Sequence, residues 1–336
     1  MKGIKGNIQT RFAKLRRHLS DILPHLTVRK IINALLIEYE FSTSKTSLKG
    51  KPYWLKIETA RVCNLKCPKC YAHSDVKDPY YPGTEGQMRL MSFDILKLII
   101  DELKDYLLGV QLYDEGEPLL NPEIYNMIQY AHKANIGTMI SSNFSLPLTN
   151  DDFKKMIESG LDHIVIGIDG STQVIYEMTR VNGDLALVIS NTKNLLSIRG
   201  KANKKKPVVE IQFLIKPFNL HQIDEVKELS KELKADIFNA LKIQGFWQEI
   251  EPTEKTSPKK CPIPWSSMVV QWNGDITVCP LRDHTDLITN MNIQDNTLLR
   301  VFNSSYYQNL RNQHNNVNDE NRIAVPCCLD CNFNEK

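Results

Sequence analysis

Cys63, Cys67 and Cys70 lie within eight residues of one another, at the spacing C-x3-C-x2-C. Three thiolates in such a loop can converge on one metal centre, whereas a tetrahedral zinc ion or a cuboidal iron–sulfur cluster takes four ligands. His73 follows too closely to complete a zinc finger, and no other cysteine or histidine stands nearby at ordinary finger spacing. The motif therefore indicates a metal centre with one open position, and a structural zinc site is the alternative.

The other five cysteines stand at positions 261, 279, 327, 328 and 331. All eight are thus grouped, instead of being spread through a small secreted domain. In an intracellular chain this grouping favours metal ligation over disulfide bonds. We therefore expect the protein to work in a reducing compartment.

The composition suits one large domain with a smaller one. The chain has 336 residues, a mass of 38.6 kDa and a formal net charge of +3. This weak charge gives no reason to expect a nucleic-acid partner. No apolar run approaches the roughly 20 residues that span a bilayer, and the N-terminus lacks the apolar core of a signal peptide. The sequence predicts a cytoplasmic protein.

From residue 51 onward, apolar strand patterns alternate with helical patterns, which is typical of parallel βα units. A stretch with proline and polar residues after 245 interrupts the alternation, and we place a domain boundary there. The expected divisions are 1–50, 51–245 and 246–336. The predicted strands are 53–58, 110–113, 137–141, 163–168, 208–215 and 236–243, and the predicted helices are 93–106, 122–133, 151–159, those between 171 and 198, and 220–233.

The run CNLKCPKCY, residues 63–71, resembles the cluster loop of radical S-adenosylmethionine (SAM) enzymes. The resemblance implies that Cys63, Cys67 and Cys70 hold a 4Fe-4S cluster whose fourth iron binds SAM, and that Tyr71 lies near SAM. Lys69 departs from the aromatic or apolar residue usual before the last cysteine. The family's fold implies an α/β architecture, a partial (β/α)6 TIM-like barrel, in which reductive SAM cleavage yields a 5′-deoxyadenosyl radical.

Polar motifs at the ends of the later strands resemble the SAM-binding elements of the same family. In such barrels, chemistry is carried by the loops at the carboxyl ends of strands. Phe144 stands where the family has glycine, and Gly167 stands where it has serine. The resemblance implies SAM contacts from Gly116, Glu117, Pro118, Ser142, Asn143, Asp169 and Arg180.

The C-terminal region resembles the twitch domain, a shortened SPASM domain that binds one auxiliary 4Fe-4S cluster. A hairpin over 267–278 with an Asn-Gly turn, followed by a helix over 298–310, separates its cysteines. The resemblance assigns Cys261, Cys279, Cys328 and Cys331 to the cluster, and a zinc ribbon is the alternative. Cys327 is a spare thiol, which we consider as an alternative ligand, a packed side chain or a catalytic hydrogen-atom donor.

The N-terminal extension, residues 1–50, contains two helical patterns. Apolar side chains recur at Ile8, Phe12, Leu15, Leu19 and Ile22, with arginines and lysines between them. We expect a helical extension that packs on the barrel. The alternatives are a peripheral contact with a membrane surface and a site for an anionic partner.

Together these features predict a radical SAM oxidoreductase that receives electrons from a reductant such as flavodoxin or ferredoxin. With a single auxiliary cluster, the favoured activity is dehydrogenation or epimerisation of a small polar metabolite, such as a sugar or an aminocyclitol. The alternative is a maturase that modifies a ribosomal peptide, as other SPASM relatives do. A non-catalytic iron–sulfur protein is the remaining alternative.

Overall fold

The computed structural model describes residues 20–68, 70–72, 81–84, 86–242, 260–279 and 291–316. Eight strands in these residues form one sheet in the order β6-β5-β4-β3-β2-β1-β7-β8. The strands are β1 (Trp54–Ile57), β2 (Gly109–Gln111), β3 (Gly137–Ser142), β4 (His163–Gly167), β5 (Val208–Ile215), β6 (Ile237–Lys242), β7 (Ser267–Val270) and β8 (Ile276–Thr277).

Helices alternate with the first six strands and continue after the sixth. Side-chain caps begin several of them, since a hydroxyl or carboxylate accepts an otherwise unpaired N–H of the first turn. The helices are α1 (Val28–Ser42), α2 (Phe93–Leu103), α3 (Ile124–Lys133), α4 (Asn150–Glu158), α5 (Gln173–Thr179), α6 (Leu185–Lys201), α7 (Ile223–Glu232), α8 (Ile263–Ser266), α9 (Leu298–Phe302) and α10 (Ser305–Asn315).

Strands β1 to β6 are parallel, and each pairs with the strand that follows it in the chain. This order results when every βα unit crosses over in the same direction. The predicted partial (β/α)6 barrel is thus confirmed. Strand β7 extends the sheet by pairing parallel to β1, and β8 returns antiparallel beside β7 through a turn in which Gly274 has φ 92°.

The two faces of the sheet differ in burial. In β5, Val209, Ile211 and Phe213 are fully buried against the helices, while Gln212 between them is only half-buried. Lys56 of β1 is likewise half-buried. Because successive side chains alternate across a strand, the hydrophobic core lies outside the barrel and a more polar face lines its lumen.

The segment before α1 closes the N-terminal end of the barrel. Asp21 Oδ2 lies 2.8 Å from Nδ1 of the buried His163, and His25 Nε2 lies 3.1 Å from Asp162 Oδ2. A Cβ on Gly137 would lie 2.9 Å from the Asp21 carbonyl oxygen, so glycine permits this close approach. These contacts attach the segment to the beginnings of β3 and β4.

Helix α1 packs on the barrel through a polar face. Asn33 Oδ1 accepts a hydrogen bond from the Lys51 N–H at 2.8 Å, and Glu40 Oε2 accepts one from the Gly50 N–H at 3.0 Å. The predicted packing of the extension on the barrel is confirmed for the described residues 20–42. Among all described residues, no helix is long and apolar enough to cross a membrane.

Arg311 attaches the described C-terminal residues to the segment between α1 and β1. Its buried guanidinium donates hydrogen bonds to the carbonyl oxygens of Pro264 at 2.9 Å and Thr46 at 2.9 Å. The single helix predicted over 298–310 is wrong, because Ser304 ends that run and caps the new helix α10 by accepting from the Tyr307 N–H. The predicted boundary after 245 lies outside the described residues.

Candidate active site

The cysteine loop follows β1 at the carboxyl end of the strands and is fixed by backbone contacts with two later loops. The Glu117 N–H donates to the Val62 carbonyl oxygen at 2.8 Å, and the Lys66 N–H donates to that of Val181 at 3.0 Å. The loop therefore depends on the segments after β2 and after α5. These backbone contacts hold the positions of its cysteines.

All three thiols of this loop are half-buried. Cys63 Sγ lies 3.6 Å from Asn143 Nδ2, and the Cys70 thiol donates to the Glu115 carbonyl oxygen at 3.7 Å. Burial, reinforced by the carboxylate of Glu117, raises the pKa of Cys63 to about 12, and burial also raises the pKa of Cys70 well above its usual value. Metal ligation needs thiolates, so loading this site must release protons.

The separation of the three sulfur atoms is wider than a single zinc ion requires. Zinc at about 2.3 Å from each thiolate would bring the sulfurs to within about 3.8 Å of one another. Among the described residues, only His25, His132 and Asp162 bring three possible ligand atoms within 4.8 Å of one another. Lys206 Nζ lies 2.7 Å from Asp162 Oδ1 and already neutralises that carboxylate. At least one pair of the three cysteine sulfurs is therefore more than 4.8 Å apart, wider than ligation of a single zinc ion by all three allows.

Glycine is required at position 116 by close backbone packing. A Cβ there would lie 2.0 Å from the Ala60 carbonyl oxygen. The next residue, Glu117, is buried and accepts hydrogen bonds from the N–H groups of Asn143 at 2.7 Å and Leu119 at 3.1 Å. Burial raises the pKa of Glu117 to about 7. Its carboxylate thus joins the loop after β2, which continues into Pro118, to the loop after β3.

The loop after β3 brings Asn143 against the cysteine loop. The Asn143 amide donates to Asn64 Oδ1 at 2.9 Å, and its own Oδ1 accepts from the Ser145 N–H at 2.8 Å. Ser142 Oγ accepts from the Phe144 N–H at 3.0 Å. Phe144 has φ 56°, which is the left-handed conformation that glycine favours. The backbone at this position therefore turns as a glycine would, although the residue is phenylalanine.

The half-buried Arg180 and the fully buried Asp169 form an ion pair beside the cysteine loop. Arg180 Nε donates to Asp169 Oδ2 at 2.8 Å, and Asp169 Oδ1 accepts from the Leu214 N–H at 2.8 Å. Although burial opposes the charged form, Asp169 and Cys67 raise the pKa of Arg180 above its ordinary value. A Cβ at Gly167 would lie 2.3 Å from Arg180 Nη2, so the missing serine makes room for the guanidinium.

The remaining predicted residues are only partly described. Tyr71 is half-buried, and its carbonyl oxygen accepts from Arg89 Nη2 at 3.3 Å. Cys261 immediately precedes the proline at the N-terminus of α8, and Cys279 follows β8; both are half-buried. The described residues do not include Lys69, Cys327, Cys328 and Cys331. Of the four predicted ligands of the auxiliary cluster, the structure therefore describes Cys261 and Cys279.

A charged network that no sequence motif indicated lies beneath the cysteine loop. Arg61 is fully buried and pairs with Glu58 Oε1 at 3.0 Å and Glu115 Oε2 at 3.2 Å. On the lumen side of β1, Lys56 Nζ lies 2.5 Å from Asp114 Oδ1. Strand alternation alone would have placed Lys56 in the lumen, but nothing in the local sequence indicates its partner.

Comparison with known proteins identifies the two parts of the chain. The family model "Radical SAM superfamily" matches residues 57–230, and the model "Iron-sulfur cluster-binding domain" of the SPASM family matches residues 261–332. The first match alone covers more than half of the chain. It contains the cysteine loop and the strand-end residues from Gly116 to Arg180.

Two curated relatives are similar in sequence to part of this chain. Mycofactocin maturase MftC of Mycobacterium ulcerans is 25% identical over 207 residues, which are 60% of this chain and 52% of the relative. The "tungsten-containing aldehyde ferredoxin oxidoreductase cofactor-modifying protein" of Pyrococcus furiosus is 23% identical over 185 residues, 54% of this chain and 49% of the relative. The chain thus spans about half the length of these curated relatives.

A solved structure shares the fold over a larger part of the chain. Streptococcus suis SuiB bound to the precursor peptide SuiA matches with a TM-score of 0.63 and 16% identity, over 83% of this chain and 70% of that chain. SuiB bound to S-adenosylmethionine matches with a TM-score of 0.60 and 17% identity, over 83% and 72% respectively. At this identity the likeness demonstrates the shared fold.

These findings correct the predicted function and partner. Dehydrogenation or epimerisation of a sugar or aminocyclitol, with a small-molecule substrate, is contradicted by relatives that include maturases and a cofactor-modifying protein, and by a fold neighbour that holds a precursor peptide. The prediction failed because the cysteines and strand-end residues specify the cofactors, which relatives with different substrates share.

The cofactor predictions are confirmed at the level of the two domains. The first domain binds SAM at a 4Fe-4S cluster, and the second domain binds an auxiliary iron–sulfur cluster. The three grouped thiols and the arginine held by Asp169 beside them agree with that assignment. The chain belongs to the radical SAM superfamily, as an enzyme that combines a partial barrel with a C-terminal SPASM domain.

Proposed function

We propose that this enzyme is a maturase that modifies a peptide. The observation that carries the proposal is the similarity to a mycofactocin maturase over 207 residues, which are 60% of this chain. The structural neighbour that holds a precursor peptide supports it through the shared fold. Reducing cytoplasm suits such a reaction, because clustered thiol ligands are oxidised easily elsewhere.

The lumen of the barrel offers chemistry that suits a peptide. Half-buried polar side chains face it from four different strands: Lys56, Gln111, Ser141 and Gln212. Carboxamide side chains can both donate to and accept from peptide groups. A peptide segment that enters from the carboxyl end of the strands would meet these side chains below the cysteine loop.

We assign roles to the residues around the cysteine loop from their positions and charges. Cys63, Cys67 and Cys70 would hold the first cluster, and Arg180 would bind the carboxylate of SAM with the N–H groups that Asp169 does not engage. The backbone of Gly116 and Pro118 would contact SAM. Glu117, Ser142 and Asn143 would shape the turn that faces SAM. Tyr71 would lie beside SAM. Cys261, Cys279, Cys328 and Cys331 would hold the auxiliary cluster, with Cys327 as a spare thiol.

When bound, the cluster and SAM supply a radical that removes a hydrogen atom from substrate. The chain contributes orientation and exclusion of water. Asp169 fixes the guanidinium of Arg180, and the segment of Asp21 and His25 closes the opposite end of the lumen. The protein therefore provides a lumen that is closed at the end away from the cysteine loop.

The test is a peptide modification assay with anaerobically reconstituted enzyme, a reductant, SAM and a precursor peptide encoded beside the gene. We expect a change in peptide mass that requires SAM and is lost in Cys67→Ala. Deoxyadenosine formed without a change in peptide mass would contradict the proposal. SAM-dependent turnover of a sugar or cyclitol at a higher rate would contradict it as well.

A further inference from the structure

Three side chains from separate segments meet at the end of the barrel away from the cysteine loop. His25 ends the short turn Leu23–His25 before α1, His132 lies in the last turn of α3, and Asp162 directly precedes β4. One ligand atom from each side chain lies within 4.8 Å of the other two. Two imidazoles and one carboxylate are a donor set that binds zinc in proteins.

Two of these three side chains are buried and held by neighbouring groups. Asp162 is 2% exposed and His25 is 4% exposed. The Thr138 N–H donates to Asp162 Oδ2 at 2.9 Å, and Asn135 Nδ2 donates to the His25 carbonyl oxygen at 3.2 Å. Carboxylates that ligate metals are normally oriented by hydrogen bonds of this kind. Both side chains are therefore positioned by the fold itself.

The imidazole of His25 uses only one of its two nitrogens in these contacts. Nε2 lies 3.1 Å from Asp162 Oδ2. Nδ1 is buried, and no described residue gives it a hydrogen bond. A buried polar atom without a partner costs free energy, and either nitrogen of a neutral imidazole can ligate a metal. A cation between the three side chains would give this ring a second strong interaction.

His132 completes the donor set from the surface. Its ring centroid lies 5.5 Å from that of His25, in an edge-on arrangement. Gly160, with φ 82°, leaves space for the ring, because a Cβ there would lie 2.5 Å from His132 Cγ. Ligands at about 2.0–2.1 Å from a tetrahedral zinc are about 3.3 Å apart, so the side chains need to move by roughly 1.5 Å at most. Since His132 is exposed, a cation can reach the site from solvent.

Lys206 leaves room for a cation at this carboxylate. Its Nζ lies 2.7 Å from Asp162 Oδ1, which is the other oxygen from the one that faces His25. The same ammonium lies 4.0 Å from Asp21 Oδ1, and the Lys206 side chain is 32% exposed. The second carboxylate and the solvent both weaken the repulsion between Lys206 and a cation at Oδ2. Lys206 can thus stay on Oδ1 as an orienting donor.

We propose that His25, His132 and Asp162 form a zinc site in which water is the fourth ligand. The zinc ion joins the segment before α1 to the end of α3 and to the start of β4. It stabilises the closure of the lumen at this end and takes no part in the chemistry at the cysteine loop. Zinc binding here does not depend on the peptide substrate.

The test is calorimetric titration of zinc into the full-length enzyme with its iron–sulfur clusters in place, together with X-ray absorption at the zinc edge. We expect about one zinc ion per chain, with nitrogen and oxygen ligands at roughly 2.0–2.2 Å. His132→Ala should weaken zinc binding at least about tenfold, because it removes a ligand. The matched control is His221→Ala, which replaces another exposed histidine, in the turn before α7, and should bind zinc like the wild type.

Three results of the titration and the absorption spectra would overturn the proposal. Sulfur ligands at about 2.3 Å would place the zinc at the cysteines. Equal zinc affinity in His132→Ala and His221→Ala would exclude His132 as a ligand. Absence of zinc binding by the wild type would exclude the site.

The melting temperature gives an independent measurement. Zinc should raise it in the wild type and in His221→Ala but not in His132→Ala, because a ligand that binds only the folded state stabilises that state. An equal rise in all three proteins would contradict the proposal as well. Iron content before and after the addition of zinc shows that the clusters remain in place.

Discussion

Substitution of Gly116 tests whether the loop after β2 supports the cysteine loop. In Gly116→Ala, the new Cβ would lie 2.0 Å from the carbonyl oxygen and 2.6 Å from the carbonyl carbon of Ala60. Both are backbone atoms, so the two loops must separate by roughly 1 Å or more to reach ordinary van der Waals distances. That movement would strain the 2.8 Å hydrogen bond from the Glu117 N–H to Val62.

The magnitude follows from these two effects. Overpacking of this kind costs about 1–3 kcal/mol, and loss of one hydrogen bond costs about 1 kcal/mol. We expect the free energy of unfolding to fall by about 2–4 kcal/mol. Because Val62 immediately precedes Cys63, we also expect lower iron content and weaker SAM binding.

The assay is urea denaturation of apoprotein followed by circular dichroism, together with iron analysis and SAM binding after anaerobic reconstitution. The matched control is Gly200→Ala in α6, where a Cβ would meet no atom within 4 Å. That variant should be unchanged or about 0.5–1 kcal/mol more stable, since alanine favours a helix interior. Equal stability and equal SAM binding in the two variants would refute the reasoning.

Three further predictions concern the site and the closed end of the barrel. Arg180→Lys should weaken SAM binding about tenfold or more and leave the iron content unchanged, because lysine cannot reproduce the planar guanidinium that contacts Asp169 and a carboxylate together. Isothermal titration calorimetry measures the SAM affinity. An equal loss of affinity in the control Arg199→Lys would contradict the prediction. Cys261→Ala should reduce about eight irons to about four by removing the auxiliary cluster, as measured by iron analysis with Mössbauer spectra, and retention of eight would exclude Cys261 as a ligand. Burial lowers the pKa of His163, but its hydrogen bonds to Asp21 and Glu210 outweigh burial and raise it above 6.5. Its stabilising effect is therefore complete below pH 6.5 and is lost as the pH rises through the raised pKa; melting temperatures between pH 6 and pH 9 should fall more in the wild type than in His163→Gln, and parallel curves would contradict this.

The sequence determined the cofactor chemistry and the architecture of this protein. The cysteine spacing, the motifs at successive strand ends and the alternation of strand and helix were sufficient, because each is a local pattern with a restricted set of structural solutions. The family matches confirmed the radical SAM barrel and the SPASM domain. The same local patterns did not specify the substrate, since the residues that hold shared cofactors are independent of what enters the lumen.

Only the tertiary structure decided how distant segments complete the barrel. It placed β7 beside β1, put the segment of Asp21 against His163 and brought Glu115 to Arg61. It also decided which side of α1 is buried and which side exposes apolar side chains. These arrangements depend on contacts between residues far apart in the chain. Hydrophobic periodicity shows only whether a residue is apolar or polar. It does not show which other residues cover an apolar side chain, or whether that side chain is covered.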